Sequence, residues 1–169
     1  MKAIKNILTA CAGMLLLFSC EKKDYPAGLH EYDHHYYLAY IPNNNSQVSV
    51  NRSQSALLKF PVQFYSSFSR SYDAVAYYGI NNTGIANPAT VGVDFAIVDK
   101  NGNPIQPVNG KYSFTFPRAE RAMDTIYVKL LNNPAAGTRK TEIQIMENLA
   151  GQYNVDIFST AFRRPIEIK

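Results

Sequence analysis

Hydrophobic and polar residues alternate along most of the chain beyond its first few dozen positions. In residues 56–65, Leu58, Phe60, Val62 and Phe64 fall on one face and Lys59, Pro61 and Gln63 on the other, the period-two pattern of a half-buried strand. Pro61 has no N–H to give a neighbouring strand, which predicts an edge or a bulge there. The same period recurs at Val93, Phe95 and Ile97, at Tyr112, Phe114 and Phe116, at Ile126, Val128 and Leu130, at Ile143 and Ile145, and at Ile166 and Ile168. Extended runs at 36–41, 47–50 and 72–78 raise the expectation to about seven to nine strands, the count of an antiparallel sandwich. Between the runs sit Asn81-Asn82-Thr83-Gly84, Asn101-Gly102-Asn103-Pro104, Asn109-Gly110, Asn132-Asn133-Pro134 and Ala150-Gly151, residues that tolerate positive φ or preset a turn. No stretch in this region carries a helical period, so the predicted class is all-β.

The first residues break this pattern. Met1 to Lys5 form a basic segment, and Ile7 to Phe18 form an apolar stretch of the length of a signal-peptide core, too short to span a bilayer. The stretch ends in Leu17-Phe18-Ser19-Cys20, and Glu21-Lys22-Lys23-Asp24 follows at once. This join resembles the lipobox of a bacterial lipoprotein, which implies cleavage before Cys20 and acylation of its thiol. The expected organisation is a lipoprotein signal peptide over 1–19, a lipidated linker over 20–34 and a sandwich domain over 35–169. Several acyl chains make attachment effectively permanent, so the domain itself needs no membrane-binding face. Cys11 leaves with the leader, so no disulfide is expected. A body of roughly 150 residues buries about 68–70% of its unfolded surface and needs no such staple.

The 169 residues are 46% hydrophobic and 18% charged, the composition of one compact domain rather than a disordered tail or a long multidomain enzyme. Lys2 and Lys5 account for two of the formal charges that sum to +4, and the remainder is too nearly neutral for nucleic-acid binding by basicity.

Ala89-Thr90-Val91-Gly92-Val93-Asp94-Phe95, then Tyr112-Ser113-Phe114-Thr115-Phe116-Pro117-Arg118-Ala119-Glu120, then Ile126-Tyr127-Val128, resembles the Calx-beta type of immunoglobulin-like domain over residues 56–147. With the lipobox, the chain is similar to the small immunoglobulin-like lipoproteins of Bacteroidetes, many of unknown function and many found beside starch-utilisation-type glycan uptake systems. The resemblance implies an immunoglobulin-like fold and an outer-membrane location, with the leaflet, periplasmic or cell-surface, left open. Calx-beta domains of exchangers bind calcium through clustered carboxylates, and a hard cation needs several oxygen ligands converging. Here the corresponding turn reads Asn132-Asn133-Pro134 without an acidic pair, so no metal and no cofactor is expected.

Catalytic patterns are sparse. There is no Gly-x-Ser-x-Gly elbow, phosphate loop, zinc pattern or dinucleotide fingerprint. His30, His34 and His35, with Glu31 and Asp33, read as solvated linker residues rather than a metal cluster, because ligands on a mobile tether pay ordering entropy. Asp94, Asp124, Glu142 and Glu147 are the carboxylates available for hydrolytic chemistry, and most read as solubilising surface charge. Arg139-Lys140 and Arg163-Arg164 read the same way. The excess is in tyrosine, twelve residues against no tryptophan. Tyr65, Phe68 and Tyr72 bracket the polar segment 66–71 and form the candidate ligand-binding cluster, since rigid rings stack on sugars or proteins at low entropic cost. Asp124-Thr125-Ile126 resembles the acceptor motif for O-glycosylation of exported Bacteroidetes proteins, which makes Thr125 the candidate acceptor.

The function expected is that of a non-enzymatic, lipid-anchored binding or scaffolding module of the envelope, accessory to a glycan-uptake system. Its partners would be the membrane, through the anchor, and glycans or envelope proteins, with no nucleic acid. The alternative is an adhesin or fimbria-like subunit whose exposed sheet edge accepts another chain's strand.

Overall fold

The computed structural model describes residues 35–67 and 69–169. Cys20, the leader, the linker and Phe68 lie outside the described residues. The described chain forms eleven strands: β1 (His35–Tyr40), β2 (Val48–Val50), β3 (Leu58–Tyr65), β4 (Asp73–Asn81), β5 (Phe95–Val98), β6 (Tyr112–Pro117), β7 (Arg121–Leu130), β8 (Arg139–Met146), β9 (Asn148–Leu149), β10 (Asn154–Ile157) and β11 (Arg163–Ile168). They build an immunoglobulin-like sandwich of a six-stranded sheet, ordered β5-β7-β3-β1-β10-β9, and a five-stranded sheet, ordered β2-β11-β8-β4-β6. The strand number exceeds the expected seven to nine because β9 and β10 are too short to carry a visible period.

Two pairings are parallel, β1 with β10 and β2 with β11. The first run of the chain enters one sheet as β1 and crosses to the other as β2. The last run does the same as β10 and β11, so the two lie side by side in both sheets. The remaining strand pairs are antiparallel.

The alternation in sequence sets the core. Leu58, Phe60, Val62 and Phe64 of β3, Tyr112, Phe114 and Phe116 of β6, and Ile143 and Ile145 of β8 are all buried between the sheets. Phe64 and Phe116 stack across the interior with centroids 4.4 Å apart, and the Tyr78 ring stacks on Tyr112 and Phe114. The Tyr40 hydroxyl, on β1, donates to the Ile143 carbonyl of the opposite sheet at 3.0 Å, and burial raises its pKa well above the usual phenol value. At Asn109 and Gly110 both φ are positive, +50° and +75°, which closes a tight hairpin between Val108 and Lys111.

Five positions depart from the sequence expectations. Pro61 lies on an interior strand, between β7 and β1, rather than at an edge. It is tolerated because its hydrogen-bonding side faces the end of β1: the Pro61 carbonyl accepts Ile41 N–H at 2.8 Å, and the missing N–H falls where β1 has ended. Val93 is 51% exposed, because the ladder of β5 begins only at Phe95. Asp94 is buried, not a surface charge. Its Oδ2 accepts Thr90 N–H and its Oδ1 accepts the Asn133 amide, both at 2.7 Å, so it ties the start of β5 to the turn after β7. Arg164 is buried rather than solvated. Its guanidinium sits over the Tyr40 ring and donates to the Pro42 and Ser46 carbonyls and to Asn44 Oδ1, and desolvation lowers its pKa. His35 belongs to β1 and not to a linker, with Nδ1 2.6 Å from Asp156 Oδ2.

On the outer face of the five-stranded sheet, ion pairs gather along β11 and β8. Glu167 accepts from Ser49 and meets Lys169 and Lys140 at 3.0 and 3.3 Å, while Arg163 faces Glu142 at 3.7 Å. The hydrogen bond from Ser49, with those from the two lysines, lowers the Glu167 pKa to about 2. A carboxylate held below its unfolded value contributes stability that is complete above about pH 4.5 and is lost as the pH falls towards 2. The Glu167→Gln variant is therefore expected to lose less stability than the parent across that interval in a urea-unfolding series. Parallel curves would contradict this.

Candidate functional site: an aromatic row on the six-stranded sheet

Tyr65 and Tyr72 are separated by the sandwich. Tyr65 follows inward Phe64 on β3, so its ring must leave through the outer face, where it is 52% exposed. Tyr72 turns inward. Its ring stacks on Tyr153 at 5.4 Å, and its hydroxyl lies 2.6 Å from that of Tyr36. The expected cluster of Tyr65, Phe68 and Tyr72 is thus not assembled from its two described members, and Phe68 lies outside the described residues.

Arg70 explains the inward turn. The segment between β3 and β4 carries it into the end of the sandwich, where its guanidinium sits 4.3 Å from the Tyr36 centroid and 4.9 Å from that of Phe64. One end of the fork donates to the Ala119 carbonyl at 2.5 Å and the other to Phe116 at 3.1 Å. Ser69 Oγ donates to the Arg118 carbonyl, and Ser66 N–H to Glu120. The serine-rich segment is therefore a clasp around the corner between β6 and β7, where Arg118 takes a positive φ of 45°.

Tyr65 gains different neighbours, supplied by strand register. Tyr37 of β1 stands directly opposite it, Asp156 of β10 opposite Tyr37, and Arg121 of β7 opposite Tyr65. Tyr37 and Tyr65 alternate with buried residues, Asp156 follows buried Val155, and Arg121 shares the face of Tyr65 through their pairing, so all four point outward. The result is a straight row across four strands, carboxylate, tyrosine, tyrosine, guanidinium, and three strand spacings make it about 14 Å long. Phe158, just past β10, packs its ring 5.2 Å from Tyr37 and is 42% exposed. Exposed Met123 borders the row from β7, and the Gln63 amide, turned so that its oxygen faces Arg121, accepts from that guanidinium. Asp156 is held by His35. A row of rings with hydrogen-bonding groups at both ends can stack on the apolar faces of a ligand and bond its polar edges.

A second opening lies at the side of the sandwich, where β5 and β6 leave the sheets uncovered. A cavity of about 630 Å³ is lined by Val91, Ile97, Ile105, Tyr112 and Leu131 among others. Beyond Ile105 a smaller one of about 390 Å³ is bordered by Asp124, Thr125 and Tyr127. Asp124 occupies an inward register position of β7 yet is exposed, because it faces this mouth. Thr125 is half-buried at the same mouth, and its N–H donates to Asp124 Oδ1. Neither cavity is legible in the sequence, since both are made by the 99–111 connection folding back on β5. Among the described residues no three His, Cys, Asp or Glu side chains converge as a metal ion would require, and no helix is long and apolar enough to cross a membrane.

No protein-family model matches the chain, and no curated protein matches it in sequence. Solved structures do resemble it. The Calx CBD2 domain is 13% identical over 78% of this chain and 85% of that one, with a TM-score of 0.50. The apo-form Calx CBD1 domain is 14% identical over 79% of this chain and 97% of that one, with a TM-score of 0.48. A type I cohesin–dockerin complex from Clostridium thermocellum is 9% identical over 80% and 99%, with a TM-score of 0.36. At such identities the CBD2 likeness speaks for the fold, a Calx-beta-like sandwich, and a sandwich of this kind hosts many unrelated functions.

Proposed function

We propose that the protein is a non-enzymatic binding module of the bacterial envelope, anchored through acylated Cys20 at the outer membrane and accessory to glycan uptake, with its contact surface on the outer face of the six-stranded sheet. The observation that carries this reading is the register that sets half-buried Tyr37 beside exposed Tyr65 on the outer face, with Phe158 against Tyr37. Large rings gathered on an outer sheet face, with Tyr65 and Phe158 exposed, mark a surface suited to contact. Such rings bind sugars and proteins alike; the hydrogen-bonding groups at both ends of the row favour a sugar chain.

The strand-accepting alternative draws less support from the sheet edges. β2 and β9 are three and two residues long, and the outer carbonyls of β5 are taken by Gly92 and Ile105 N–H. On β6 the Phe116 carbonyl is occupied by Arg70.

The anchor is tested by mass spectrometry of the protein purified from bacterial membranes. The expected species begins at an acylated Cys20; a free thiol there would contradict it. Protease shaving of intact cells decides the leaflet. Binding is tested by electrophoresis through gels containing polysaccharide, where retardation is expected and unretarded migration across neutral and acidic glycans would remove the reading.

A further inference from the structure

The two outer faces of the sandwich treat their cations differently. On the five-stranded sheet and its end, Lys140, Arg163 and Lys169 each meet a glutamate, while Lys111 lies 5.4 Å over the Tyr77 ring. On the six-stranded sheet, Lys59 of β3 and Arg121 and Lys129 of β7 all occupy exposed outward positions, and among the described residues none has a carboxylate partner. The acid on that face, Asp156, is engaged by His35. Arg121 ends the aromatic row, and Lys59 and Lys129 stand along the same two strands, so the rings and the unpaired cations share one surface.

From this juxtaposition we infer that the ligand is an acidic polysaccharide, a glycan chain bearing carboxylate or sulfate groups, that crosses the row to place one anionic substituent at Arg121 and then runs down β3 and β7 to Lys59 and Lys129, about 20 and 26 Å further along those strands. The inference rests on the glycan reading above and narrows it. The planar guanidinium presents a fork that matches a carboxylate or sulfate bidentately, and Gln63 holds that fork beside the row. The two lysines act as point charges, whose attraction is screened within about 8–10 Å at physiological salt. Aromatic stacking supplies the share of binding that salt does not remove.

The test is affinity electrophoresis of the purified protein through gels holding polygalacturonate, dextran sulfate or unsubstituted dextran, at low and high salt. Retardation by one or both acidic polymers is expected, at least tenfold stronger than by dextran and weakened by salt; the polymer that retards more identifies the anionic group. A variant carrying Lys59→Gln, Arg121→Gln and Lys129→Gln should lose at least tenfold in affinity for the acidic polymers. A charge-matched variant carrying Lys100→Gln, Lys140→Gln and Arg163→Gln should not, which separates this face from general basicity. Equal loss in both triple variants would overturn the inference. Retention by dextran as strong as by the acidic polymers would overturn it and leave the glycan reading standing. Free migration in all three gels would overturn both.

Discussion

The Arg70→Ala variant is expected to lose about 4 kcal/mol of unfolding free energy. The buried Phe116 carbonyl and the half-buried Ala119 carbonyl would lose their donor, at about 1–3 kcal/mol for the first and less for the second. The Tyr36 and Phe64 faces would lose a cation held between them, worth about 0.5–2 kcal/mol. Arg70→Lys should recover little, since an ammonium cannot span two carbonyls and lie flat on a ring. Urea unfolding of the variants checks this, with Lys100→Ala as an exposed control expected within about 0.5 kcal/mol of the parent. A loss below about 1 kcal/mol for Arg70→Ala would mean that the clasp does not hold the corner.

The second large effect concerns binding. Tyr37→Ala and Tyr65→Ala should each weaken polysaccharide affinity about tenfold, and together about a hundredfold, because each removes one stacking face of roughly 1.4 kcal/mol. Tyr65→Phe keeps the face and should keep most of the affinity. Tyr72→Ala makes the opposite case: its ring and hydroxyl belong to the interior with Tyr153 and Tyr36, so it should lower the unfolding free energy while the protein still folded binds normally. Selective loss of binding in Tyr72→Ala, with Tyr37→Ala and Tyr65→Ala unaffected, would return the site to the β3–β4 connection.

Period-two alternation made β3, β6, β7 and β8 legible, because one face of each is buried and the other wet. It also placed Tyr65 opposite Phe64, and hence outside. Pairing was beyond it. Tyr37 and Tyr65 face one another only because β1 lies antiparallel to β3, and Asp156 joins them only because the last run of the chain lies parallel to the first. Neither register leaves a mark in local sequence. Arg164 reads as a surface charge, and Arg70 only as part of a polar segment, since nothing nearby announces the carbonyls and rings that receive them. Asp94 read the same way, because its partners Thr90 and Asn133 come together only when the turns before β5 and after β7 meet. Pro61 was misplaced because the rule against proline in interior strands has an exception wherever the neighbouring strand stops.

The site itself is tested most directly by following the aromatic ring signals of the purified protein by NMR as polysaccharide is added. The account predicts that Tyr37, Tyr65 and Phe158 shift together and saturably while the buried rings of Tyr40, Phe64 and Phe116 stay in place. Shifts confined to Tyr112 and Tyr127 at the lateral cavities, with the outer row unmoved, would contradict it.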